Sequence, residues 1–358
     1  MVVKVYVVDD SAVVRQALQH MLAGQPDIEL IGSAANPLIA MPAIQKNRPD
    51  VLLLDIEMPG MDGLTFLRQI MAGTPIPTVI CSTLSLEGSK VALDALAAGA
   101  VAVMGKPKLG LKQFLDESRR EMIQTLKAAA KAKPRQRVTS TGVVAAAGAA
   151  RAAVHHRAPV LSGVHAFAMN KPVVLGSSTG GTQAIECVLM ALPADAPGIA
   201  VTQHMPEKFT AMYAKRLDGI CAMNVREAKD GDRLERGVVL IAPGGLHMQL
   251  RKTAGQYFVH VVDGPPVNRH KPSVDVLFKS AAECAGHDAL GIIMTGMGDD
   301  GARGMKVMHD GGARTIAQNE ETCVVFGMPK EAIKLQAVDD ILPLESIARA
   351  IMQFDSRA

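Results

Sequence analysis

The chain has 358 residues, of which 48% are hydrophobic, with a formal net charge of +3 and five cysteines. This length exceeds one ordinary core and predicts two domains, while the weak net charge gives no support for nucleic-acid binding. The cysteines are scattered without a CxxC pair, which argues against a zinc ribbon or a disulfide framework. Acidic residues in the opening MVVKVYVVDD argue against a signal peptide, and no apolar stretch is long enough for a membrane span, so we expect a cytoplasmic protein.

Residues 1–125 alternate between strand and helix patterns. Short apolar runs predict strands at 4–8, 28–32, 51–55, 76–81 and 100–104. Between and after them, helical periodicity predicts helices at 12–23, 37–47, 63–71, 88–98 and 111–126. Buried strands that alternate with helices are typical of a parallel sheet covered on both faces, so we predict a (βα)5 domain of α/β class.

The remainder of the chain divides into a linker and a second domain. Residues 126–170 are rich in Ala, Lys and Arg without a steady period, which predicts a solvated linker. Residues 171–358 form a second α/β pattern, with strands predicted at 172–176, 198–203, 237–242, 257–262, 289–295 and 313–317. The segment YFVHVV follows GGLHMQL closely enough for a hairpin, so we expect a mixed but mostly parallel sheet.

Charged and hydroxyl side chains follow the predicted strands of the first domain. Asp9 and Asp10 end the first strand, Asp55 ends the third, and Ser82 and Lys106 follow the fourth and fifth. The carboxyl ends of parallel strands share one edge of the sheet, so these groups should meet there. Carboxylates placed together need a cation, and their hard oxygens suit Mg²⁺. A lysine and a hydroxyl beside the ion suit an incoming phosphoryl group, which an aspartate could accept.

This set of residues resembles the receiver domain of two-component response regulators over residues 1–125. The resemblance implies that Asp55 accepts the phosphoryl group, that Ser82 is the switch hydroxyl and that Lys106 contacts the phosphoryl oxygens. It also implies a Mg²⁺ site with protein ligands from Asp9, Asp10, Asp55 and the backbone carbonyl of Glu57. One position departs from the family pattern, because Val103 stands where receivers usually carry a switch aromatic residue.

The stretch VVLGSSTGGTQAI at 173–185 turns from a predicted strand into a predicted helix. A glycine-rich turn of this kind suits phosphate binding at a helix N-terminus, but the lysine of GxxxxGK[ST] is missing and the glycines do not fit GxGxxG. The residues Gly176 to Gly180 also match GxSxG, a turn that exposes a nucleophilic serine. A plain tight turn is the third interpretation, and the local sequence does not decide among them.

A nucleophilic serine needs a base and a group that orients the base. His204 follows the apolar run GIAVTQ, which places it at the same strand edge as the serine turn. His247 and His270 lie in predicted loops and remain competitors, whereas His260 lies within a strand pattern and favours a structural role.

The orienting acid is suggested by LGIIMTGMGDDGARGM, in which a buried strand runs into a glycine-rich turn with Asp299 and Asp300. Either aspartate could orient an imidazole, and backbone N–H groups near Met297 could stabilise an oxyanion. A helix cap is the alternative role for one of the two acids. Spacing alone does not choose between Ser177 and Ser178, nor between Asp299 and Asp300.

The receiver pattern, the linker and the strings GSSTGG, TQHMP, PVNRHKPSVDVLF and TGMGDDGARGM together resemble the CheB family of chemotaxis protein-glutamate methylesterases. The resemblance implies that Ser178 is the nucleophile, His204 the base and Asp300 the orienting acid. It implies a phosphorylation-activated hydrolase that removes methyl esters from glutamate side chains of methyl-accepting chemoreceptors and deamidates receptor glutamines.

The resemblance also implies the partners and the mode of control. A chemotaxis histidine kinase would be the phosphodonor, with no nucleic-acid partner, no membrane insertion and no cofactor for the esterase domain. From the two-domain architecture we hypothesise that the unphosphorylated receiver covers the mouth of the esterase site. The loop 265–275 either lines the substrate groove or is a solvated loop. Two other classes remain open: a receiver fused to a nucleotide-binding module, and a response regulator with a DNA-binding output.

Overall fold

The computed structural model describes residues 2–58, 62–82, 86–106, 112–132 and 171–356. Most of the predicted linker, from residue 133 to residue 170, lies outside the described residues. Within the described ranges, no helix combines the length and apolar character needed to cross a bilayer.

The first domain is a five-stranded parallel sheet, as the sequence predicts, and its strand order is β2-β1-β3-β4-β5. Its strands are β1 Val3–Val8, β2 Ile28–Ala34, β3 Val51–Leu54, β4 Thr78–Ser82 and β5 Ala102–Gly105. Its helices are α1 Ala12–Leu22, α2 Pro37–Lys46, α3 Gly63–Ala72, α4 Leu86–Ala97 and α5 Lys112–Ala130.

Alternation along β1 explains how one sheet supports two layers of helices. Val5 and Val7 belong to the apolar cluster that contains Leu18 of α1 and Leu126 of α5. The intervening residues, such as Val8, face the cluster on the opposite side, which contains residues of α2, α3 and α4. Side chains with a period of two therefore bury both faces of the sheet, and its carboxyl edge is left for function.

The second domain is built on a seven-stranded parallel sheet with the order β14-β13-β12-β6-β7-β9-β8. These strands are β6 Val173–Ser177, β7 Ile199–Gln203, β8 Asn224–Glu227, β9 Val238–Ile241, β12 Leu290–Ile293, β13 Arg314–Gln318 and β14 Asp340–Leu342. The helices are α6 Gly181–Met190, α7 Phe209–Ile220, α8 Val274–Ala285, α9 Ala302–Asp310, α10 Met328–Lys334 and α11 Leu344–Asp355, with a 3-10 turn at Gly286–Asp288.

The predicted hairpin is confirmed, but it does not join the main sheet. Strands β10 His247–Thr253 and β11 Gln256–Val262 pair with each other in antiparallel register, and an isolated antiparallel bridge also joins Phe258 of β11 to Arg233. The expectation of a mixed sheet is therefore wrong, because the antiparallel pair forms a separate two-stranded sheet. Strands β8 and β14 are absent from the sequence prediction, since these short edge strands carry few apolar residues.

The order of the strands reverses at β6. The chain passes from β6 to β7 on one side, and later returns to place β12 on the other side. In an open parallel sheet, a reversal of this kind leaves a crevice at the carboxyl ends of the central strands, where ligands bind. The residues that follow β6, β7 and β12 therefore belong to one candidate site.

Candidate active site

The serine turn begins where β6 ends at Ser177 and α6 begins at Gly181. Ser178 is half-buried, and its N–H donates to the carbonyl of Thr295, which follows β12, at 3.0 Å. A Cβ on Gly296 would lie 2.9 Å from the Cβ of Ser178, so the glycine permits this close approach. Gly180 has a φ of 79°, which glycine adopts without strain.

The neighbouring Ser177 has a different environment, because its side chain is fully buried. Its hydroxyl donates to Oε1 of Gln203 at 2.7 Å. The Nε2 of Gln203 donates in turn to the carbonyls of Ser178 at 2.9 Å and His204 at 3.0 Å. Ser177 and Gln203 thus form a buried clamp, the Ser177–Gln203 clamp, that ties the backbone of the serine turn to the backbone of the predicted base.

His204 and Asp300 meet directly, as the sequence predicts. The Nε2 of His204 lies 2.8 Å from Oδ2 of Asp300, and both side chains are buried. Since an ionised carboxylate only accepts hydrogen bonds, the proton lies on Nε2 and the Nδ1 lone pair is left free. Within the described residues the buried Nδ1 has no hydrogen-bond partner. His204 therefore has one nitrogen oriented by an acid and one available to a reacting group.

Asp300 is held in place by a dense set of donors. Its carboxylate accepts from the hydroxyl of Ser273 at 2.7 Å, from the N–H of Val274 at 2.7 Å and from Nδ2 of Asn268 at 2.8 Å. Burial alone would raise the pKa of Asp300, but the hydrogen bonds from His204, Asn268 and Ser273 outweigh burial and lower it. Asp300 is therefore ionised at neutral pH, whereas Asp299 is half-exposed and lies 3.5 Å from Arg269.

The competing histidines take other positions. The Nδ1 of His247 accepts from the N–H of Ser273 at 3.2 Å, so this histidine supports the loop that holds Asp300. His260 contacts exposed Asp230 at 2.7 Å on the hairpin. His270 stacks on His204, with ring centroids 3.7 Å apart and an angle of 12° between the ring planes. The sequence left His270 as an alternative base, and the structure instead places its ring against that of His204.

The glycine-rich turn after β12 brings backbone N–H groups to the serine. Gly296 adjoins Ser178, and Gly298 and Gly301 have φ values of 87° and 91°. In the part of the chain that the structure describes, the N–H of Met297 has no hydrogen-bond partner. A free N–H beside a serine at a strand edge is the donor that an oxyanion requires.

The receiver site gathers at the carboxyl edge of the first sheet. Ligand atoms of Asp9, Asp10 and Asp55 lie within 4.8 Å of one another. The Nζ of Lys106 lies 2.6 Å from Asp55 and 3.1 Å from Asp9. Burial raises the pKa of Asp55, against the lowering effect of Lys106 and of the Glu57 N–H. One lysine does not balance three carboxylates, and this all-oxygen donor set fits Mg²⁺.

The strands that carry Ser82 and Val103 lie side by side in this domain. Ser82 is buried at the end of β4 and pairs in register with Gly105 of β5. Val103 pairs with Ile80 and packs against an apolar cluster that contains residues of both domains. Val103, which stands at the position of the usual switch aromatic residue, therefore contributes to the hydrophobic core.

The receiver contacts the serine turn itself. The carbonyl of Val101, just before β5, accepts from the N–H of Gly180 at 3.3 Å. The amide of Gln183 donates to the carbonyls of Leu96 at 2.6 Å and Ala100 at 3.4 Å. These contacts place the end of α4 and the segment that leads from it to β5 against the N-terminus of α6, which follows Ser178 closely in the chain.

The fold and the site together define a hydrolase domain of the Ser-His-Asp type joined to a receiver domain. Residues 173–351 match the family model described as CheB methylesterase, and residues 5–116 match the response regulator receiver domain. The chain belongs to the CheB family of protein-glutamate methylesterases and protein-glutamine glutaminases that carry a receiver domain.

Relatives match along almost the whole chain. A protein-glutamate methylesterase/protein-glutamine glutaminase of Dechloromonas aromatica is 54% identical over 98% of this chain and 98% of its own length. Another, from Shewanella oneidensis, is also 54% identical, over 98% of this chain and 99% of its own. The CheB methylesterase catalytic domain of Thermotoga maritima aligns with a TM-score of 0.50 at 38% identity, covering 51% of this chain and 98% of that domain.

Proposed function

We propose that this chain hydrolyses γ-glutamyl methyl esters through Ser178, with His204 as the base and Asp300 as the group that orients it. The observation that carries the proposal is the pairing of His204 Nε2 with buried Asp300 at 2.8 Å, which leaves Nδ1 free at the strand edge that bears Ser178. A base oriented on one side and open on the other can take the proton of a serine hydroxyl.

The reaction follows from this arrangement. Ser178 attacks the side-chain carbonyl of the substrate, and its proton passes to Nδ1 of His204. The N–H of Met297 stabilises the oxyanion that forms on the carbonyl oxygen. His204 then gives its proton to the leaving group, so an ester releases methanol and a glutamine amide releases ammonia. Water activated by His204 resolves the acyl-enzyme, and ionised Asp300 stabilises the imidazolium in both steps.

The substrates are glutamates and glutamines on methyl-accepting chemoreceptors, and the enzyme acts on them in the cytoplasm. The names of the relatives describe both activities, which supports one acyl-transfer mechanism for the ester and the amide. The loop 265–275 carries Arg269 and Lys271 beside the catalytic histidine, which suits an acidic receptor surface. The esterase steps use this chain's own residues.

Control resides in the receiver domain, with Asp55 as the acceptor of a phosphoryl group from a chemotaxis histidine kinase. Mg²⁺ would be held by Asp9, Asp10, Asp55 and the backbone carbonyl of Glu57. When bound, the ion neutralises charge on the phosphoryl oxygens. Lys106, which lies 2.6 Å from Asp55, contacts those oxygens as well, and Ser82 at the end of β4 provides the switch hydroxyl.

We further propose that residues 1–125, 126–170 and 171–358 act as receiver, linker and catalytic domain. The unphosphorylated receiver restricts access to Ser178, and phosphorylation loosens the contact. The hydrogen bonds of Gly180 and Gln183 with Val101, Leu96 and Ala100 support this role.

Separate experiments test the two halves of the proposal. For catalysis, Ser178→Ala and His204→Ala should each abolish methanol release from methylated receptor membranes while the proteins keep the parental circular dichroism spectrum. For control, incubation with Mg²⁺ and a small acyl phosphate should add the mass of one phosphoryl group, and Asp55→Asn should prevent the addition. Retained methanol release in Ser178→Ala refutes the catalytic assignment, and full phosphorylation of Asp55→Asn refutes the assignment of the acceptor.

A further inference from the structure

His270 covers one face of the predicted base. The centroids of the two imidazole rings lie 3.7 Å apart and the ring planes form an angle of 12°, which is a stacked arrangement. Within the described residues, the ring nitrogens of His270 have no hydrogen-bond or ion-pair partner. Among the residues that the structure describes, the ring of His270 stacks on His204 alone, so contact with the predicted base rather than a polar network defines the position of this side chain.

The loop that carries His270 is anchored on Asp300. Asn268 donates from Nδ2 to Asp300 at 2.8 Å and to buried Asp275 at 2.7 Å. Asn268 and Arg269 both have positive φ values, of 50° and 71°, which non-glycine residues rarely adopt. Residues in this region persist where surrounding contacts hold them, and they concentrate at functional sites. The same carboxylate therefore orients His204 and anchors the loop that covers it.

The charge state of His270 allows it to stack on a histidine that gains and loses a proton. Burial and the neighbouring His204 lower the pKa of His270 to about 3, with Arg269 acting in the same direction and Asp300 opposing it. His270 is therefore uncharged at neutral pH. A neutral flat ring can lie against His204 both before and after His204 takes a proton, whereas a cation would oppose that protonation.

We propose that His270 is a positioning residue for the reaction, which holds the ring of His204 in the plane that directs Nε2 to Asp300 and leaves Nδ1 free to accept a proton. This inference rests on the proposed role of His204 as the base. Torsions between an sp³ carbon and a flat ring are broad. A stacked neighbour restricts the ring to one orientation and excludes water from its face, which keeps the base aligned during proton transfer.

Three substitutions separate stacking from charge. His270→Ala removes the stacked ring, His270→Phe restores a neutral flat ring, and His270→Arg restores a flat group with a permanent positive charge. Each is measured as the full chain with Mg²⁺ and an acyl phosphate, as methanol release from methylated receptor membranes across pH. Thermal unfolding of every variant establishes that the proteins compared are folded.

We expect His270→Ala to lower kcat about 10–100-fold with little change in KM, because misalignment acts on proton transfer rather than on receptor binding. His270→Phe should recover most of that loss. His270→Arg should move the acidic limb of kcat/KM to lower pH by about one unit or more, because a cation near the imidazole disfavours its protonated form. A residue that only supports folding would not move this limb.

The inference is overturned if His270→Ala keeps the parental kcat, if His270→Phe is no better than His270→Ala, or if His270→Arg leaves the acidic limb in its parental position. The underlying assignment fails separately. If His204→Ala itself releases methanol at the parental rate, the role of the base is wrong whatever the His270 variants do.

Discussion

The two adjacent serines at the end of β6 should respond to the same substitution in opposite ways. In Ser177→Ala, the hydroxyl that donates to Gln203 at 2.7 Å is lost from a fully buried site. The Oε1 of Gln203 then stays buried without its donor, at a cost of about 1–3 kcal/mol in the free energy of unfolding. For a domain of this size, each kcal/mol lowers the unfolding midpoint by about 2–4 °C.

Activity should largely survive in Ser177→Ala, because Nε2 of Gln203 still donates to the carbonyls of Ser178 and His204. Ser178→Ala is the matched control. The half-buried Ser178 side chain makes no hydrogen bond within the described residues, so we expect parental stability and no methanol release. Calorimetry and methanol release on the same preparations measure both effects. Loss of activity in Ser177→Ala at parental stability would refute the reasoning and favour Ser177 as the nucleophile.

Three further predictions concern control and pH. Gln183→Ala removes the hydrogen bonds to the carbonyls of Leu96 and Ala100, so methanol release without phosphodonor should rise about two- to tenfold; an unchanged basal rate would contradict the covering role. Asp55→Asn should raise the unfolding midpoint of the receiver at neutral pH in the absence of Mg²⁺. The raised pKa of Asp55 means that its charged form is unfavourable in the folded state, so the stability of the parent falls as pH rises. A lower unfolding midpoint in Asp55→Asn would count against this. Because its pKa is lowered in the folded state, Asp300 stabilises the protein above the ordinary carboxyl pKa range, and this stability is lost as pH falls through that range. Asp300→Asn should therefore show a smaller loss of unfolding free energy on acidification, measured in a pH series of unfolding. An unaltered dependence of the unfolding free energy on pH would argue against this.

Much of the fold is predictable because the sheets are parallel and buried on both faces. Runs such as VLLLD and VVLGS are short, continuous and apolar, and they are followed by polar residues at the edge where function lies. Since the carboxyl ends of parallel strands share one edge of a sheet, this pattern predicts that Ser178, His204 and Asp300 lie at the same edge. The structure places His204 and Asp300 in direct contact there. The edge strands β8 and β14 lack such runs, so local sequence does not reveal them.

The residues that hold the candidate catalytic side chains in place, such as Gln203 and His270, are not predictable in the same way. Gln203 is separated from Ser177 by 26 positions, and its amide looks like any polar residue at the end of a strand. A helix, two strands of the main sheet and the β10–β11 hairpin separate His204 from His270 along the chain, and only the fold brings their rings together. Buried polar pairs and stacked rings depend on tertiary distance rather than on periodicity, so no pattern along the chain indicates them.

Two features of the molecule support one central claim: His204 has a free Nδ1, and the receiver contacts the serine turn. The claim is that Ser178 performs hydrolysis and that phosphorylation of the receiver controls it. Methanol release from methylated receptor membranes tests this claim most directly when the full chain and Ser178→Ala are compared with and without an acyl phosphate. We predict that the phosphodonor increases release by the parent and that Ser178→Ala releases none under either condition. Equal release by the parent in both conditions, or release by Ser178→Ala at the parental rate, would contradict the account.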